Sequence, residues 1–363
     1  MKGHALSAPL LVSHDDAASS ARPSAVVILV LCLAAIASVT LTAVMLHGPH
    51  YQPSLIGDAP PTSARPVIGV VTNPTDESFR EAFNLTGTSY IGGSFVEWLD
   101  KGGSRVIPLP YDAPENTLRQ LLRRVNGVMF QGGHSIVNSS HPNEYMRTAQ
   151  LIYDEAVQMN ARRPNSFVIW GTCQGFEVLA VLEGGWQILT RTDAESLVLP
   201  LPLTHGTERY SRLFGEAPEE VVMALRDQNS TTNFHEWGVS PTDFIQTGLA
   251  HSFRALAVNT DRIGRPFISA MEARQPHLPI YATQFHPEVL PWNVDHTQAP
   301  NNQTKRALRW LSDFIRDEAA RSPHRFDSAG QLSRFDLRNF PKKAVKYFDW
   351  LYEINVHKFP LNL

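Results

Sequence analysis

Cysteine is almost absent: the 363 residues hold only Cys32 and Cys173. Cys32 lies inside an apolar stretch near the N-terminus, so with that stretch set apart Cys173 is the lone thiol of the folded part. An internal disulfide is then excluded, and so is a metal site built from clustered cysteines. Runs of five or more charged residues are also missing, and the formal net charge is only -3. Affinity for nucleic acid rests mainly on Lys and Arg neutralising phosphates. Nothing concentrates them here, so nucleic acid is set aside as a partner. No internal repeat is present, and 43% hydrophobic with 18% charged residues is an ordinary globular balance rather than a disordered one.

One long hydrophobic run does occur. Residues 25–46 (AVVILVLCLAAIASVTLTAVML) carry no charge. A helix rising 1.5 Å per residue would span a hydrocarbon core of roughly 30 Å over such a length. Some two dozen mostly polar residues precede the run, whereas a cleavable signal has a shorter apolar region close to its start. A transmembrane signal-anchor is expected, with 1–24 as a cytosolic tail. Arg22 sits just before the run and no Lys or Arg follows until Arg65. This charge bias places the main domain in the lumen or outside the cell, in an endomembrane compartment such as lysosome or vacuole, or secreted if the run is cleaved. Asn84, Asn138, Asn229 and Asn302 each open a glycosylation sequon, in agreement with that side. The Pro-, Ser- and Gly-containing stretch 47–65 reads as a linker.

From residue 66 onward, short β-branched runs alternate with amphipathic stretches. Strands are expected at 66–72, 105–109, 127–130 and 166–170, then at 255–259, 267–271 and 279–284. Helices are expected at 89–102, 117–124, 145–159, about 174–182 and 307–320. Strands alternating with helices imply an α/β fold, a central mostly parallel sheet covered on both faces. The expected domain runs from 66 to 320. The aromatic-rich 321–363 should pack on it as a tail.

Three segments carry chemistry. Gly171, Thr172, Cys173, Gln174 and Gly175 follow an apolar strand and precede a helix, the G-x-nucleophile-x-G pattern of a sharp strand-to-helix turn. Cys173 is the candidate nucleophile. The helix N-terminus is expected to favour its thiolate, and the Gln174 N–H to face an incoming carbonyl oxygen. The strand YATQF ends in His286, Pro287 and Glu288. Side chains two apart on a strand share a face, so Glu288 can orient His286 as that residue takes and returns a proton. Finally, Gly132 and Gly133 end the strand GVMF, where main-chain N–H groups can approach an oxyanion.

The segments FQGG, WGTCQGFE and QFHPE resemble the class I glutamine-amidotransferase superfamily, whose fold is flavodoxin-like. WGTCQGFE together with NFHEWGVSP resembles, more narrowly, the γ-glutamyl hydrolases, or folate polyglutamate hydrolases. The likeness runs from about 65 to 321. It implies Cys173 as nucleophile, His286 as base and acid, Glu288 as orienting carboxylate, and an oxyanion hole from the backbones of Gly133 and Gln174. It also places His235 and Glu177 near the site. The implied reaction is hydrolysis of γ-glutamyl bonds in polyglutamylated folates and antifolates through a thioester, with no metal or cofactor. A glutaminase or other γ-glutamyl amide hydrolase of the superfamily is the alternative, and a non-catalytic membrane-tethered binder is an alternative of another class. Homodimerisation is left open.

Overall fold

The computed structural model describes residues 65–345 and 349–360. Its centre is a seven-stranded sheet in the order β4-β1-β5-β6-β11-β10-β9. These strands are β1 (Val67–Val71), β4 (Arg105–Leu109), β5 (Gly127–Phe130), β6 (Val168–Thr172), β9 (Phe253–Thr260), β10 (Pro266–Ala273) and β11 (Ile280–Thr283). The pairs from β4 through β11 are parallel, and at the other edge the pairs β11–β10 and β10–β9 are antiparallel, so that β10 alone runs against the rest. The inner strands β1, β5, β6 and β11 are buried along their whole length, as a sheet covered on both faces requires.

The covering helices are α1 (Glu77–Phe83), α2 (Gly93–Lys101), α3 (Glu115–Leu122), α4 (Glu144–Arg162), α5 (Gln174–Gly184), α6 (Glu219–Asp227) and α7 (Asn302–Ala320), with several single turns besides. Two groups form, α3–α4–α5 and α2–α7–α6, and β6 packs against both α5 and α7. The helix expected at 307–320 starts five residues earlier. Asn301 explains this, because its side-chain oxygen accepts from the N–H groups of Gln303 and Thr304 and satisfies donors that a helix start leaves unpaired.

Two expectations are corrected. The α/β architecture is present, but the transmembrane helix expected with it is not upheld: among the described residues no helix is long and apolar enough to cross a membrane. The run 25–46 itself lies outside the described residues, as do the expected tail 1–24 and, except for Arg65, the expected linker 47–65. The helix expected at 89–102 begins only at Gly93, because Ser89–Gly92 form strand β3. Its partner comes from the far end of the chain. Strand β13 (Asp349–Ile354) pairs antiparallel with β3, with Leu351 opposite Gly92 and Ile354 opposite Ser89. Together with β2 (Asn73–Pro74) and β12 (Lys342–Val345) they make a second sheet, ordered β12-β13-β3-β2. A third, two-stranded sheet joins β7 (Thr190–Leu199) to β8 (Thr231–Gly238) through two register shifts.

Parallel strands present their C-terminal ends at one edge, where α/β folds place their sites. Here β5, β6 and β11 lie side by side. Their ends deliver Gln131–Gly133, Cys173 and His286 to the same edge.

Candidate active site

Cys173 stands between β6 and α5 with φ 53° and ψ −109°, a left-handed conformation that costs a non-glycine residue on the order of 1–3 kcal/mol. The turn closes only because its flanks are glycines. A Cβ on Gly171 would lie 2.5 Å from Gly175 O, and one on Gly175 would lie 2.0 Å from Phe130 O. The Cys173 N–H donates to Thr283 O at 2.8 Å and its carbonyl accepts from Glu177 N at 3.1 Å. The elbow is therefore fastened to β11 on one side and to its own helix on the other.

The thiol is buried, and its S–H donates a hydrogen bond to Phe234 O, 3.6 Å from Sγ. Burial pushes the thiol up from its ordinary range. His286 and the Gln174 N–H pull it down, but less strongly. The Gln174 N–H at the helix start does favour the thiolate, but desolvation outweighs it, and the sulfur needs a base.

His286 follows β11 and is held by a bridge, its N–H donating to Thr232 O at 2.8 Å. Its Nδ1 is 2.6 Å from Glu288 Oε1. A carboxylate only accepts, so Nδ1 carries the hydrogen and Nε2 is the nitrogen left for chemistry. Nε2 is buried with no partner of ordinary hydrogen-bond geometry, yet imidazole and thiol are within reach of one another as hydrogen-bonding and charged groups. Both press on one point: a Cβ on Gly132 would lie 2.7 Å from His286 Cε1 and 3.4 Å from Cys173 Cβ. The His286 and Glu288 side chains do converge, but not through strand alternation. β11 ends at Thr283, and a turn closed by the Val289 N–H on His286 O brings the carboxylate round.

Burial alone would lower the His286 pKa. The Glu288 carboxylate and the nearby sulfur reverse this and hold it well above the ordinary imidazole range. Glu288 Oε2 is buried without a partner, so the imidazole is the chief group answering that charge. A prediction follows for pH. Glu288→Gln keeps an acceptor for Nδ1 but removes the charge, so the His286 pKa falls. The acid limb of kcat/KM, which belongs to the thiol–imidazole pair jointly, should move to lower pH, and the plateau should drop by about 10²-fold. A pH–rate profile of the variant checks this, and an unmoved limb would mean that Glu288 does not set the titration.

The other expected residues lie close by. Gln174 opens α5 with its N–H toward the sulfur. Gly133 follows β5 where no side chain would fit, because its Cβ would lie 2.0 Å from Asn73 Nδ2. Glu177, one turn into α5, is buried, and burial pushes its pKa up to about 8. Its Oε1 accepts from Gln284 Nε2 at 3.2 Å, so it is largely uncharged at neutral pH.

His235 is near the pair without touching it. Its neighbour Phe234 turns its ring to His286, centroids 5.5 Å apart, while the His235 ring lies against Phe267 and its Nδ1 donates to Trp237 O at 2.8 Å. Burial drives its pKa down to about 3, leaving it neutral. Phe234 and Phe95, whose rings flank the His286 imidazole, were not foreseen from the sequence. The only signal for Phe234 was its place in the segment NFHEWG. Of the sequon asparagines, Asn84, Asn229 and Asn302 are exposed and Asn138 is half-buried.

A thiol, an imidazole oriented by a carboxylate, and main-chain donors at a helix start can together perform acyl transfer. Comparison with known proteins bears on which kind. The model of the peptidase C26 family matches residues 66–288. The chain is 36% identical to a γ-glutamyl hydrolase of Mus musculus over 73% of this chain and 81% of that one. It is 32% identical to a γ-glutamyl hydrolase of Homo sapiens over 82% and 89%. With γ-glutamyl hydrolase B of Dictyostelium discoideum it shares 29% over 76% and 78%. Among solved structures, a glutamine amidotransferase from Thermotoga maritima covers 71% of this chain and 99% of its own, with a TM-score of 0.39 at 12% identity. So loose a likeness carries no argument.

Proposed function

The chain belongs to the peptidase C26 family and is a cysteine-type hydrolase, and on that premise we propose that it cleaves the γ-glutamyl bonds of poly-γ-glutamyl folates through a Cys173 thioester. The observation that carries the reading is the pairing of His286 with Glu288 at 2.6 Å beside the elbow cysteine.

His286 Nε2 takes the thiol proton as Sγ bonds to the γ-carbonyl carbon. The carbonyl π pair moves onto oxygen, and the N–H groups of Gly133 and Gln174 receive that oxyanion. When the tetrahedral centre collapses, the C–N bond breaks and His286 returns its proton to the leaving nitrogen. The amine that departs is glutamate or a glutamyl chain, and the folate-bearing acyl group stays on sulfur. Water then adds to that thioester with His286 as base, and the C–S bond breaks to release the shortened folate and restore the thiol. A raised thiol pKa fits this sequence, since proton removal and attack are then coupled.

Purified protein incubated with pentaglutamyl folate, and separately with glutamine, tests the substrate. Shortened folates resolved by chromatography are expected. Release of ammonia from glutamine with the folate left intact would overturn the reading in favour of a glutaminase.

A further inference from the structure

The Gly132–Gly133 segment is pinned on both sides by buried amide side chains. Before it, Gln131 Nε2 donates to Val71 O and Tyr90 O, both at 3.0 Å, and its Oε1 accepts from Gly92 N at 2.9 Å. After it, Gln174 Nε2 donates to Ser135 O at 2.7 Å. Two consecutive glycines lack the Cβ atoms that resist backbone rotation. With its ends held, the peptide between them keeps one soft motion, rotation of the 132–133 plane as a unit.

A single side chain decides that rotation. Asn73, on β2 and fully buried, donates Nδ2 to Gly132 O at 2.7 Å. A carbonyl only accepts, which fixes the amide end that faces it. In a trans peptide the carbonyl and the following N–H point in opposite directions. Holding Gly132 O toward Asn73 therefore turns the Gly133 N–H away from it.

We propose that Asn73 is a positioning residue for the oxyanion site, locking the Gly132–Gly133 peptide in the one orientation that offers the Gly133 N–H to the tetrahedral oxygen. The inference rests on the acyl-transfer reading above and names a part of that site supplied by the second sheet rather than the catalytic one.

Asn73→Asp is nearly isosteric but cannot donate from its carboxylate. It repels Gly132 O and accepts the Gly133 N–H, favouring the flipped peptide. Loss of one oxyanion donor costs about 10²- to 10³-fold in kcat, so kcat should fall by about 10²-fold with KM within about threefold. Affinity for a glutamate γ-aldehyde, which forms a tetrahedral adduct on Cys173, should fall in parallel. Alkylation of Cys173 by iodoacetamide, which develops no oxyanion, should keep its rate.

Asn73→Ala, which buries no charge, is the second variant and should lose less, about tenfold in kcat, because the peptide then populates both orientations. Wild-type kcat in both variants would overturn the proposal. So would alkylation rate, KM and kcat changing together, the mark of a merely structural residue. Aldehyde affinity is read without turnover. Failure of the wild-type protein to cleave γ-glutamyl substrates would therefore sink the substrate reading alone, and an unchanged aldehyde affinity in Asn73→Asp would sink this one.

Discussion

Replacing Cys173 with alanine should lower kcat by about 10⁴- to 10⁶-fold, the scale seen when an acyl-transfer nucleophile is deleted, while substrate affinity changes by only a few fold. The reason is geometric. The sulfur sits at a strained turn, φ 53°, that aims one side chain at the edge where β5, β6 and β11 end, and it is the only thiol among the described residues. No neighbour can replace it: His286 is committed to Glu288 through Nδ1, and Glu177 is tied to Gln284. Steady-state kinetics give the rate. Mass spectrometry after quenching should show a folyl-γ-glutamyl adduct on the wild-type chain and none on the variant. Retention of a tenth of the activity would end the thioester mechanism.

Gly175→Ala should be damaging in a different way, by preventing the turn from closing. Its added methyl would stand 2.0 Å from Phe130 O and 2.7 Å from Phe130 C. Both are backbone atoms of a central strand, so no side-chain rotation relieves the clash, and α5 must separate from β5. Overpacking with a mobile neighbour costs about 1–3 kcal/mol. Here the loss should reach about 3 kcal/mol or more, with activity lost alongside it. Gly264→Ala supplies the contrast: nothing lies within 4 Å of its Cβ, and only φ +83° opposes the change, for about 1–2 kcal/mol. Denaturant midpoints of the two variants check both numbers. A Gly175→Ala protein within 1 kcal/mol of the parent would mean that the elbow tolerates a side chain and is not as tight as described.

The catalytic part of the molecule was legible because its signals are local. Glycines two residues either side of Cys173 report a turn that any fold would need, and apolar runs of four or five residues report strands buried on both faces. For His286 and Glu288 the sequence points to the right pair through the wrong geometry. Their spacing suggests strand alternation, whereas a turn beyond β11 brings the two side chains together. The residues that steady these groups were not legible. Asn73 and Phe234 are ordinary residue types, and what they do depends on segments 59 and 61 positions away. From its own residues strand β3 reads as the start of a helix, since its partner β13 lies some 260 residues further on.

By itself, the sequence determined an α/β domain with a lone elbow cysteine and a histidine–glutamate pair, because backbone strain at a turn and burial of alternating elements are short-range effects that leave short-range marks. Only the tertiary structure decided how those groups are tuned. Burial raises the thiol, Glu288 raises the imidazole, and a buried amide from a different sheet holds the glycine carbonyl. Desolvation and hydrogen-bond orientation depend on what surrounds an atom in space, and the chain places that surrounding far from it in sequence.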